Sequence, residues 1–368
     1  MHHGMLTIYK EAGYTSSDAV ARLRGILRMR KIGHTGTLDP DAVGVLPMCL
    51  GNATRICELI ADREKEYVAV MRLGVLTDTQ DMSGEILKDI PEEEIPGLLL
   101  PNSSAENTGT SSIKDTDTSA CISAEERILY RIRQAAASFI GEIDQIPPMY
   151  SAIKVNGKRL YDMARKGITV ERKPRRITIY ALDIEKVELP LVTMRVRCSK
   201  GTYIRTLCED LGNALGTGAA MQSLIRTRVG QFTLEEARTL DELESLAKTK
   251  PEELEPLIRP VDSFFADLPP AACAQDALRL LKNGNVLTLQ QIRFLSPEED
   301  PQKKYRTAVS DSKTGEISDT SSLPGINPGE KVVRMYDADG YFYGLYRTRS
   351  GSKGRGLYSA YKMFLPEK

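Results

Sequence analysis

Runs of β-forming residues at 66–76, 176–186 and 191–198 are not separated by regular helical segments, and this constrains the fold more than any other feature. A strict βαβα alternation builds a parallel sheet; strands mixed irregularly with helices favour an α+β domain with a largely antiparallel one. A further short strand is expected at 5–10. Ser16-Ser17-Asp18 supplies cap chemistry for a helix over 18–29, with Val20, Leu23, Ile26 and Leu27 on one face. Helical patterns follow at 125–140, 203–214, 218–226 and 239–247. At 368 residues the chain suits two domains of roughly 100–200 residues each. A composition shift at Pro260-Val261-Asp262 places the boundary, giving 1–262 and 263–368. In the second part, 331–346 reads as a hairpin turning at Asp337–Gly340. Two polar stretches, 101–122 and about 296–330, bury too little apolar area to offset ordering entropy. They read as flexible surface insertions, the first of them disordered.

Charge excludes a simple nucleic-acid argument, because Lys+Arg and Asp+Glu are both 50. Any RNA case must rest on where the charges sit. No run of about 18 apolar residues and no signal-like N-terminus occurs, so the expectation is a cytoplasmic protein with no membrane partner. The six cysteines form no CxxC pair. Structural zinc wants convergent, closely spaced ligands, so buried reduced thiols and no metal are expected.

Four constellations carry possible chemistry. In Gly36-Thr37-Leu38-Asp39-Pro40, flanked by Gly33 and Gly44, backbone can approach a ligand closely. Asp39 precedes proline and is biased to extended backbone; taken alone, it reads better as a turn cap. Ser199 to Leu207 carries strand 191–198 into a helix and includes Arg205, whose planar fork suits a carboxylate; alone it reads as a surface arginine. Glu66-Tyr67 and Thr77-Asp78-Thr79-Gln80-Asp81 offer a stacking platform and a weak cation loop, with an ordinary strand tyrosine and solvated turn carboxylates as the plainer readings. Finally, nine cations crowd 151–176, including Lys154, Lys158, Arg165 and Arg172, against only Asp162 and Glu171. Such a patch is an electrostatic footprint for a phosphate backbone, or else a solvated amphipathic helix.

Together, in order and spacing, these stretches resemble the TruB-type tRNA pseudouridine synthases from about Leu6 to Phe232. The matching runs are Lys10 to Ser17, Gly33-His34-Thr35-Gly36-Thr37-Leu38-Asp39-Pro40, Gly51 to Arg55, Lys65 to Tyr67 and Thr77 to Asp81. They continue through Pro147 to Lys154, Gly157 to Arg165, Ser199 to Leu207 and Leu224 to Gly230. Small departures occur at Glu11-Ala12, Arg55 and Ala219-Ala220.

The resemblance implies a pseudouridine synthase fold with an RNA-binding thumb at about 146–176 and a C-terminal β-rich body of PUA-like type. It implies Asp39 as the essential aspartate, Tyr67 as the tyrosine stacking on the target base and Arg205 as the partner of the aspartate. Tyr203 and Leu224 fall on pocket positions, and Lys10, His34 and the thumb cations on RNA-binding ones. The implied substrate is uridine 55 of the tRNA T arm, with the acceptor stem also contacted. A stand-alone monomer without guide RNA is expected, with folding assistance possible beside catalysis. Isomerising uridine changes no oxidation state and imports no group, so no cofactor is expected. A carboxylate is required, and Arg205 is expected to keep it ionised. Attack on the uracil ring, attack on the sugar carbon and removal of a sugar proton all stay open for Asp39.

Overall fold

The computed structural model describes residues 2–100, 123–155, 157–303, 323, 325–327, 330–349 and 356–365. Its larger sheet has nine strands. These are β1 (Gly4–Lys10), β2 (Ile32–His34), β3 (Val43–Leu50), β4 (Lys65–Leu73), β5 (Gly141–Gln145), β6 (Arg175–Glu188), β7 (Leu191–Cys198), β8 (Ala219–Val229) and β9 (Phe232–Thr233). The order is β1-β3-β8-β4-β7-β6-β5, with β2 beside β3 and β9 beside β8. Every pairing is antiparallel except β3 with β8, where Val43 faces Ile225 and Gly44 faces Arg226. The mixed, largely antiparallel sheet is therefore present.

Helix α1 (Ser16–Leu27) begins on a reciprocal cap. Thr15 Oγ accepts from the Asp18 amide at 3.1 Å, and Asp18 accepts from the Thr15 amide at 2.9 Å. Such a cap is worth about 1 kcal/mol. Its buried residues Leu23 and Leu27 pack with Leu240 and Leu243 of α4 (Leu240–Thr249) and with Leu6, Ile8, Leu46 and Met48 of the sheet. A second cluster joins Ile128 and Ile132 of α2 (Ala124–Ala137) and Leu207 and Leu211 of α3 (Ile204–Leu215) to Ala69, Met71, Met194 and Val196.

The expected helix over 218–226 is instead central strand β8. The polar–apolar alternation of a half-exposed strand is lost because Gln222 and Ser223 are both exposed between buried Met221 and Leu224, a helix-like spacing. Register shifts between Met221 and Ser223 and between Arg226 and Arg228 blur it further.

The second sheet has six strands, β10 (Pro270–Cys273), β11 (Leu287–Thr288), β12 (Ile292–Phe294), β13 (Val332–Tyr336), β14 (Phe342–Thr348) and β15 (Leu357–Met363), in the order β11-β15-β14-β13-β10-β12. β13 and β14 form the expected hairpin, with the Asp337 amide donating to the Tyr341 carbonyl at 3.0 Å. The two sheets share an apolar seam. Met5, Val45, Cys49 and Ile56 meet Phe264, Phe265, Val332, Leu345 and Phe364 there.

The polar stretch 101–122 lies outside the described residues, as does most of 296–330. Within 296–303, residues 297–299, 301 and 303 are exposed, whereas Asp300 and Gln302 turn inward. Asp300 is buried and receives both ends of the Arg334 fork, at 2.9 and 2.7 Å, because Arg334 is itself fully enclosed. Five of the cysteines are described and all are free thiols: Cys49, Cys198, Cys208 and Cys273 are buried and Cys57 half-buried. No helix among the described residues is long and apolar enough to cross a membrane.

Candidate active site

Asp39 sits in the loop from β2 to β3, which is fastened on both sides of it. The Leu38 amide donates to Ser16 Oγ at 2.9 Å. The Pro40 carbonyl accepts from the Gly13 amide at 3.0 Å and from Lys10 Nζ at 2.9 Å. The loop rejoins the sheet at Gly44 (φ +106°), where a Cβ would stand 2.3 Å from the Arg226 carbonyl oxygen. Only glycine allows β3 and β8 to approach there.

Arg205, in the first turn of α3, meets Asp39 edge-on: Nε lies 3.0 Å from Oδ2 and Nη2 3.3 Å from Oδ1. Its other donors go to the Thr79 carbonyl at 2.9 Å, the Tyr150 carbonyl at 2.8 Å and Asp81 at 3.3 Å. The Arg205 side chain is 6% exposed and that of Asp39 is 41% exposed. The ion pair thus has a buried half and a half that opens to the cleft.

Asp81, in the loop expected to be a weak cation site or solvated turn, serves as a second anchor for this guanidinium. Thr79 Oγ donates to it at 2.7 Å and the Ser83 amide at 3.0 Å. The loop docks on α3 through Gln80, which accepts from Thr206 Oγ at 2.7 Å and donates to Glu209. Among the described residues no group of three or more His, Cys, Asp or Glu side chains could hold a metal ion.

A cleft of about 290 Å³ opens over the pair, lined by Asp39, Tyr67, Tyr150, Tyr203, Leu224 and Arg226 among others. The sequence-predicted Asp39, Tyr67, Arg205, Tyr203 and Leu224 therefore converge. Gln145 of β5 clamps the backbone of Tyr203, accepting from its amide at 2.8 Å and donating to its carbonyl at 3.0 Å. Crowding by the cleft walls lifts the Asp39 carboxyl above its usual range. Arg205 is the strongest opposing influence, while the Asp81 charge adds to the rise. Arg205 acts in the expected direction, lowering the pKa, but burial is the larger influence and the net shift is upward. Burial also pushes the Tyr67 phenol up to about 12, so Tyr67 is a neutral phenol at physiological pH.

The remaining predicted residues divide. Lys10 does not face RNA: it is fully buried, and its ammonium donates to the carbonyls of Glu11, Tyr14 and Pro40. It holds the Asp39 loop from behind, and burial lowers its pKa to about 8. His34 lies outside the cleft, in a neighbouring groove with Arg24, Arg30 and Lys31. Its Nδ1 accepts from the Gly36 amide at 3.3 Å, and burial lowers its pKa. Lys158 and Arg165 are exposed on the thumb, where Arg165 lies 5.6 Å over the Tyr161 ring. Lys154 sits in a two-stranded turn with Val155, Lys158 and Arg159. Arg172 is half-buried and donates to the Pro147 carbonyl at 3.0 Å, bracing the thumb base. Sequence reasoning gave no role to Arg226 or Gln145; both stand in strands where only tertiary pairing reveals what they reach.

The profile of the TruB family pseudouridylate synthase N-terminal domain matches residues 24–123 and 104–204, and that of the tRNA pseudouridylate synthase B C-terminal domain matches 205–266. The chain belongs to the TruB family of pseudouridine synthases. A tRNA pseudouridine synthase B of Lachnoclostridium phytofermentans is 40% identical over 99% of this chain and 100% of its own length. That of Clostridium tetani is 42% identical over 77% and 84%. In three dimensions, a chain from a Cbf5–Nop10–Gar1 complex aligns with TM-score 0.60 and 26% identity, over 99% of this chain and 85% of its own. Membership makes the chain an enzyme that forms pseudouridine.

Proposed function

We propose that this TruB-family enzyme isomerises uridine 55 in the T arm of tRNA, with Asp39 as its catalytic carboxylate. The observation that carries the reading is the Asp39–Arg205 pair at the floor of a cleft walled by Tyr67, Tyr203 and Leu224. The reaction breaks the C1′–N1 bond, turns the uracil, forms a C1′–C5 bond, gives up the C5 proton and takes up a proton at N1, so the product is an isomer of the substrate. Arg205 orients the carboxylate and limits its rise in pKa; Tyr67 holds the base and lies where it can take part in proton transfer. A base stacked in folded RNA must first be flipped out, at a cost of roughly a few kcal/mol. Lys154, Lys158 and Arg165 of the thumb, His34 in its groove and the PUA-like C-terminal body are the proposed sources of compensating contacts. The enzyme works in the cytoplasm as a monomer, contacts the acceptor stem as well, and can assist tRNA folding.

In this reading Asp39→Ala and Asp39→Asn form no pseudouridine in a tRNA transcript yet bind it as the parent does. Substantial turnover by purified Asp39→Ala overturns the assignment. The likeness to the Cbf5 chain favours one second reading, a synthase that needs partner proteins and guide RNA. Activity of the purified chain on bare tRNA transcript separates the two.

A further inference from the structure

Arg226 is an unusual residue to find in the middle of a sheet. It is 1% exposed, and among the described residues no carboxylate stands within ion-pair distance of it. A guanidinium so enclosed is costly unless its donors are used. Nε donates to the Val45 carbonyl at 2.7 Å and Nη2 reaches the Gly36 carbonyl at 3.5 Å. Those carbonyls stand at the two ends of the loop that carries Asp39. Arg226 is also the direct cross-strand partner of Tyr67 in the β8–β4 ladder, so their side chains share a face. Both side chains line the cleft.

We propose that Arg226 is a positioning residue that joins the Asp39 loop to Tyr67: it staples the loop on both sides of Asp39 and holds the tyrosine ring in place across the strand pair. The second effect follows from the pairing: Tyr67 is packed in the core on its other sides, so the guanidinium across the ladder is the wall that keeps its ring in the cleft beside Asp39. No step of the chemistry passes through Arg226 itself. The inference rests on the reading above for the roles of Asp39 and Tyr67.

The test compares Arg226→Met and Arg226→Lys with the parent enzyme and with Asp39→Ala. Single-turnover rate, tRNA affinity and the ¹³Cζ resonance of Tyr67 are measured, the last identified as the tyrosine signal missing in Tyr67→Phe. Arg226→Met is expected to bind tRNA within a few-fold of the parent and to lose about a hundredfold in rate, the scale of a small misplacement of reacting groups. Its Tyr67 resonance shifts, and Arg226→Lys returns part of both rate and shift. If Arg226→Met does not fold, Arg226→Gln, which keeps an amide donor, takes its place. An unmoved Tyr67 resonance, or a rate close to the parent's while Asp39→Ala is dead, overturns the inference and leaves the Asp39 reading standing. Turnover by Asp39→Ala removes the reading itself.

Discussion

Arg205 meets Asp39 with two nitrogens and Asp81 with a third, so two carboxylates share one buried guanidinium and only Asp39 opens to the cleft. Lysine keeps the charge but cannot span this arrangement. Arg205→Lys should therefore lower the single-turnover rate about a hundredfold or more while tRNA affinity changes little.

The same arrangement sets the acid limb of activity. If Asp39 works ionised, the rate falls as pH drops through its raised pKa. The Asp81 charge contributes to that rise, so Asp81→Asn removes a repulsion and the acid limb should move to lower pH. A pH profile of single-turnover rate, read for both proteins, checks the sign; movement to higher pH contradicts it.

At Gly44 an added methyl meets both a positive φ and the Arg226 carbonyl at 2.3 Å. Gly44→Ala should cost about 1–3 kcal/mol or more in urea denaturation. It should also depress activity, because the strained contact sits where the Asp39 loop returns to the sheet.

In the second sheet, Arg334 and Asp300 are each wholly enclosed. Removing one partner strands the other, so Asp300→Ala should lose about 3–5 kcal/mol of stability. Replacing both with apolar residues of similar size should recover much of it. Paired denaturation curves decide between this and a surface role for 296–303.

On the thumb, Lys158 and Arg165 are exposed but Arg172 braces Pro147. Neutralising Lys158 or Arg165 should reduce the salt slope of tRNA binding by about one for each phosphate the side chain engages. Arg172→Ala should change the slope less and destabilise the thumb more. Equal slopes for all three variants count against this division.

Much of the architecture was legible because local chemistry agreed with the fold. Ser16-Ser17-Asp18 announces α1, although the cap itself is Thr15 and the helix starts at Ser16; the alternation of 191–198 is that of β7, and Asp337 to Gly340 turns a hairpin. Asp39, Tyr67 and Arg205 were singled out by their ordered motifs, and the fold brings them around one cleft. What stayed hidden is chemistry decided by distant partners. Arg226 looks like any strand arginine until Gly36, Val45 and Tyr67 surround it. Lys10 looks like a surface cation until three carbonyls enclose it. Strand β8 imitates a helix because the irregularity at Gln222 and Ser223 breaks its alternation, and Asp300 hides in a polar stretch because its buried partner lies 34 residues away.

The apolar seam between the sheets has a consequence for how the chain divides. The composition shift at Pro260 invites a cut there, yet Phe264, Phe265 and Phe364 are wedged against Val45, Cys49 and Ile56 of the first sheet. Severing the chain at that point would bare a greasy flank on each half. The distance from the Asp39 cleft to the far sheet is therefore built in like a gauge block.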